Sequence, residues 1–256
     1  MKVAVVLFVL GLSLARAEIF QARTPIETTI QEYPEVVGVL RSENDVYSLH
    51  CVGTILNIRS VLTSAYCVYS DPLQHIRVRV GSSQPNSDGV VYELSEKIVH
   101  PNWVEATMQS DLAILRTASY IQYSDYVQPG RFAAYILPDD TLVNTVGWGY
   151  LSHPRWYSAV YDEIRTNNLW TVSINQCRQS YSALGFGVQD DQICTGMVLY
   201  DSTTFRDKCF GEPGAPVFQN GVVVGVRSFG LSCTVNDTPS INVRISSYID
   251  WIIANA

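Results

Sequence analysis

The 256-residue chain is long enough for one large or two small domains, and its 47% apolar content can fill a sizeable core. Only 16% of the residues are charged, below the usual ~25%, which argues against a long disordered acidic or basic segment. The net charge of −7 disfavours nucleic acid and anionic lipid as partners.

In chain order, the first predicted element is a secretory signal peptide over residues 1–17. Lys2 supplies its positive start, Val3 to Leu14 is an apolar run, and Ala15-Arg16-Ala17 is a small-x-small cleavage site. The run is shorter than the ~20 residues a membrane span needs, and no later stretch is long and apolar enough for one. Cleavage before Glu18 removes two basic residues and no acid, so −7 becomes −9. The expected location is extracellular.

Strand signals follow. Val36-Val37-Gly38-Val39-Leu40 is an apolar, β-branched run, and Cys51 to Leu56 and Ser60 to Thr63 are short apolar runs split by Asn57-Ile58-Arg59. His75 to Val80 alternates strictly, which predicts a strand with one wet face. Gly89 to Val99, Leu112 to Leu115, Thr141 to Val146, Leu169 to Ile174, Val217-Phe218 and Val222 to Val226 complete the series, with Asn220-Gly221 as a two-residue hairpin signal. Tyr120 to Pro138, containing Pro129-Gly130, has the composition of a connector between two halves. Only Ile174 to Tyr181 and Ser246 to Ala254 look helical. The second places Ile249, Ile252 and Ile253 on one side, with Ser246 or Ser247 available as a cap and Asp250 in its first turn. The class is all-β, a sandwich or a barrel.

The six cysteines Cys51, Cys67, Cys177, Cys194, Cys209 and Cys233 imply three disulfides in an exported chain. Fifteen pairings are open, and spacing suggests neighbours: 51 with 67, 177 with 194, 209 with 233. A zinc site lacks the paired Cys-x2-4-Cys or His-x3-5-His ligands it would need, so no metal is expected. No cofactor is implied. Asn236-Asp237-Thr238 is a weak N-glycosylation pattern, with Pro239 directly behind it.

Three stretches carry the chemistry: Ser60-Val-Leu-Thr-Ser-Ala-Tyr-Cys67, Ser110-Asp-Leu-Ala-Ile-Leu115 and Cys209-Phe-Gly-Glu-Pro-Gly-Ala-Pro216. With Gly147-Trp148-Gly149 and Ser228-Phe229-Gly230 they resemble the chymotrypsin-fold serine proteases, and among them the insect digestive trypsins. The resemblance covers the chain from about Arg23 to the C-terminus. It implies two packed six-stranded antiparallel β-barrels, the first over about residues 24–130 and the second over about 131–245, with a C-terminal helix at 246–256. It also implies a short pro-segment at 18–23 and three disulfides at the six cysteine positions.

The departures from the family pattern bear on function. Where the family has Thr-Ala-Ala-His-Cys, this chain has Thr63-Ser64-Ala65-Tyr66-Cys67, so the base position holds Tyr66. A phenol titrates near ~10, too high for a general base working at neutral pH. Where the family has Gly-Asp-Ser-Gly-Gly-Pro, this chain has Gly211-Glu212-Pro213-Gly214-Ala215-Pro216, so the nucleophile position holds Pro213. Proline has neither the attacking hydroxyl nor the backbone N–H that would help hold an oxyanion. Gly211 remains from that donor pair. Asp111 matches the third triad position and is expected as a leftover buried carboxylate bonded to Tyr66 and nearby backbone. His50, His75, His100 and His153 read as surface histidines rather than substitute bases.

Activation in the family follows cleavage after a basic residue. Arg23 fits, but Thr24-Pro25 is a poor plug and Glu212 replaces the aspartate that receives the new amine, so a Thr24–Glu212 pair is open rather than supported. The specificity pocket would comprise Asp207, Ser228, Gly230 and Ser240. Asp207 favours basic side chains, Lys208 competes for its charge and Ser240 narrows the slot, so the expectation is a collapsed vestige. The chain is read as a secreted serine protease homologue that binds proteins, with proteases or their inhibitors as the partner class. An active trypsin-like endopeptidase and a storage or structural protein are the alternatives.

Overall fold

The computed structural model describes residues 25–149, 151–153, 156–159, 161–182, 184–198, 205–206, 211–230 and 238–256. The predicted signal peptide and pro-segment, and Arg23, Thr24, Asp207, Lys208, Cys209, Cys233 and Asn236, lie outside the described residues. The strands are β1 (Ile26–Glu27), β2 (Val36–Glu43), β3 (Val46–Ile55), β4 (Ser60–Thr63), β5 (Ile76–Val80), β6 (Val90–Val99), β7 (Ala113–Thr117) and β8 (Leu142–Gly147). They continue with β9 (Leu151–His153), β10 (Trp156–Ala159), β11 (Arg165–Val172), β12 (Gln192–Val198), β13 (Phe205–Arg206), β14 (Pro216–Gln219), β15 (Val222–Phe229) and β16 (Ser240–Arg244). Helix α1 (Ile174–Ser182) precedes β12, and α2 (Ile249–Asn255) follows β16.

Two closed antiparallel barrels result. The first runs β2-β3-β4-β7-β6-β5 and closes where β5 pairs β2, with Val39 opposite Val78. The second runs β11-β8-β14-β15-β16-β12 and closes through β11 and β12, with Thr171 opposite Thr195. The N-terminal strand β1 does not join the first barrel. It pairs with β11 of the second, and Arg165 holds Glu27 at 2.6 Å.

The sequence patterns have direct structural reasons. In β5, Ile76, Val78 and Val80 face inward, while Arg77 and Arg79 face out and reach Glu93 and the Asp88 and Asn86 carbonyls. Val36 to Leu40 is apolar without alternation because both of its faces are covered. Val37 and Val39 line the first barrel, while Val36 joins a second cluster with Leu62, Phe218, Val243 and Ile252, which glues the barrels and α2 together. Asn220 and Gly221 have φ of 52° and 71°, the backbone of a tight hairpin turn between β14 and β15.

Several expectations need correction. Ile174 opens α1 instead of ending a strand. Neither Ser246 nor Ser247 caps α2: both sit in a preceding 3-10 turn, and the cap residue is Tyr248, without a side-chain capping bond. Ile253 is 70% exposed, whereas Tyr248, Ile249, Trp251 and Ile252 pack against the core. His100 is buried, its ring 4.7 Å from that of Trp251 and edge-on to Tyr248. His153 belongs to strand β9 rather than a loop. Strands β12 and β16 were not foreseen, since Gln192 to Gly196 and Ser240 to Arg244 mix apolar and polar residues that are nearly all buried.

Candidate functional site

The three motif stretches meet between the barrels. Ser64 to Cys67 leaves the end of β4, Asp111 lies two residues before β7, and residues 211–215 form the turn into β14. The turn is pinned to both barrels: the Val52 amide of the first donates to the Pro213 carbonyl at 3.1 Å, and the Gly214 amide donates to the Arg227 carbonyl of the second at 2.8 Å. Gly214 has φ of 84°, and a Cβ there would lie 2.0 Å from the Val52 carbonyl oxygen, so this close approach requires glycine. Cys51–Cys67 ties the same strand to the loop carrying Tyr66, and Cys177–Cys194 joins α1 to β12. Two of the pairs suggested by spacing are therefore formed, and the third lies outside the described residues.

Asp111 is fully buried and its oxygens are well supplied with donors. Ser64 Oγ donates to Oδ1 at 2.7 Å, the Tyr66 amide donates to Oδ1 at 2.8 Å, and Ser228 Oγ, from the second barrel, donates to Oδ2 at 2.5 Å. Burial pushes its carboxyl above the ordinary carboxylate range, and the hydrogen bonds from Ser228, Ser64 and the Tyr66 and Ala65 amides offset part of that rise. The contact between Tyr66 and Asp111 runs through the backbone amide, while the Tyr66 side chain is 45% exposed. His50 stands beside Arg41 with Nη1 3.5 Å from Nε2, His75 is exposed in a 3-10 turn, and His100 lies under α2.

Glu212 is a second buried carboxylate with different surroundings. Among the described residues neither of its oxygens has a hydrogen-bond partner, although the Trp148 and Gly149 amides are aimed towards it. Burial pushes its pKa up to about 7, opposed by those amides and by the charge of Arg227. Gly147 makes room for it, since a Cβ there would lie 2.5 Å from Oε2.

The family model "Trypsin" matches residues 26–252. The chain belongs to the trypsin family. It is 39% identical over 232 residues to "Trypsin, alkaline C" of Manduca sexta, covering 90% of this chain and 88% of that protein. It is 35% identical to Achelase-1 of Lonomia achelous, covering 90% of this chain and 97% of that protein. Among solved structures, the scabies mite inactivated protease paralogue S-D1 matches with TM-score 0.77 at 26% identity over 90% of this chain and 94% of that one. Neuropsin, a mouse brain serine protease, shares the fold with TM-score 0.76 at 22% identity, covering 90% of this chain and 97% of that one.

Of the pocket residues that family resemblance assigns, Ser228 and Ser240 are fully buried and Gly230 is exposed at the end of β15. Gly211, with φ of 107°, lies directly over the side chain of Arg227. Sequence reasoning missed Arg227, a buried arginine in β15 that donates through Nη1 to Ser240 Oγ. The available signal was a single cation inside the run Val222 to Phe229. It also missed Ser64 as a partner of Asp111. A hydroxyl stands there in place of the family alanine, and that substitution was visible in the motif.

Proposed function

We propose that this trypsin-family protein is secreted, has lost peptide hydrolysis, and acts by binding other proteins, with proteases or protease inhibitors as the partner class. The observation that carries this reading is Pro213. It offers no hydroxyl and no N–H, and its carbonyl is already engaged by Val52. Losing one oxyanion donor alone costs about 10²–10³ in rate, and here the nucleophile goes with it. Tyr66 at the base position adds a second defect. The nearby serine hydroxyls do not replace the nucleophile, because those of Ser64 and Ser228 are buried and spent on Asp111. The similarity to a protein described as an inactivated protease paralogue supports the reading, and disulfide pairing suits an oxidising, extracellular setting.

The second reading is an active trypsin-like endopeptidase, favoured by relatives named as trypsins. A fluorophosphonate probe separates the two. The purified protein is expected to remain unlabelled and to leave peptide amides intact, and a labelled serine would overturn the proposal. Restoring both positions, as Tyr66→His with Pro213→Ser, is expected to recover weak hydrolysis at most. The partner class is tested by binding of the purified protein to active trypsins and to trypsin inhibitors, and failure to bind either rejects it.

A further inference from the structure

Arg227 is 6% exposed and sits in a barrel strand whose neighbours Val223, Val224 and Val226 are core residues. A buried guanidinium is costly unless its donors are met. Here the side chain passes beneath Gly211, where a Cβ would lie 3.1 Å from Arg227 Cδ and 3.6 Å from Nε, and Nη1 ends on the hydroxyl of Ser240 across the ladder. Thr145 Oγ1 lies 3.5 Å from the same Gly211 position and closes another side. The charge also acts on buried Glu212. These surroundings form a socket for a planar cation: a glycine that lets the stem pass, a hydroxyl acceptor at its end and a carboxyl nearby.

We propose that Arg227 is a built-in ligand, filling a guanidinium-binding socket in the second barrel that overlaps the specificity pocket. A basic side chain from a partner is therefore excluded, because its place is taken and its acceptor Ser240 is already bonded. This rests on family membership and the Arg227 contacts, not on the loss of hydrolysis, since pocket binding requires no nucleophile. Partners of this protein would have to engage its outer surface without inserting lysine or arginine.

The test is a fluorescence titration with p-aminobenzamidine, a planar cation of the same chemistry. The wild-type protein is expected to show no saturable binding. Arg227→Ala is expected to bind the probe at least about 100-fold more tightly, in competition with free guanidinium, and to gain thermal stability when guanidinium is added at low concentration. Ser240→Ala in the Arg227→Ala background is expected to weaken the probe again. If Arg227→Ala does not fold, Arg227→Val keeps more of the stem volume and carries the same test, while the wild-type titration stands by itself. Saturable binding by the wild type, or folded Arg227 variants that remain blind to the probe, would overturn the proposal. Fluorophosphonate labelling of the same samples reports hydrolytic competence independently.

Discussion

The two buried carboxylates of the site make the most instructive comparison. Asp111, on the first-barrel side, is held by two hydroxyls and a backbone amide within 2.8 Å, one of the hydroxyls reaching across from the second barrel. Glu212, on the second-barrel side, has no hydrogen-bonded partner for either oxygen among the described residues. Burial raises both pKa values, but only Asp111 has side-chain hydroxyls offsetting the rise, while at Glu212 backbone amides and the charge of Arg227 oppose it. Asp111 is thus a structural node joining the barrels, fed by hydroxyls from both. The longer Glu212 instead occupies a space where its charge is poorly tolerated.

The largest expected effect is on the compensated side. Asp111→Ala strands the Ser64 and Ser228 hydroxyls and the Tyr66 amide in a dry site, and is expected to destabilise the fold by about 3 kcal/mol in denaturant unfolding at neutral pH. A neutral result would mean that the network is ornamental.

Glu212 should respond with the opposite sign. Its carboxyl titrates near 7 in the fold and near 4.5 when exposed. Between those values the unfolded chain ionises first, so stability is greatest below about pH 4.5 and falls as pH rises towards 7, by up to about 3 kcal/mol. Glu212→Gln is expected to flatten that slope and to be more stable than wild type at pH 8, while matching it at pH 4. Thermal unfolding across this range is the measurement, and an unchanged slope would remove the contrast between the two carboxylates.

Smaller effects calibrate the comparison away from the site. Gly221→Ala, at φ of 71°, is expected to cost about 1 kcal/mol through backbone strain alone. Asp190→Asn, which removes an exposed ion pair with Arg178 at 2.6 Å, is expected to change stability by less than about 1 kcal/mol. An effect as large as that of Asp111→Ala at either position would show that global fragility, rather than the buried network, sets the response.

The sequence by itself determined what short-range patterns encode. Strict alternation marked β5, Asn220-Gly221 marked the hairpin, cysteine spacing suggested 51 with 67 and 177 with 194, and the motifs carried the family resemblance that implied the barrels. These signals work because a strand face, a turn or a short disulfide loop is set by residues close in sequence. Only the tertiary structure decided what Arg227, Ser64, Ser228, His100 and Ile253 do. Ser228 meets Asp111 across 117 positions, and Arg227 meets Ser240 on a neighbouring strand. His100 is buried only because α2 folds back over it. Whether a polar side chain is a surface feature or a buried partner depends on which distant strand or helix is laid against it, and no window of neighbouring residues contains that information.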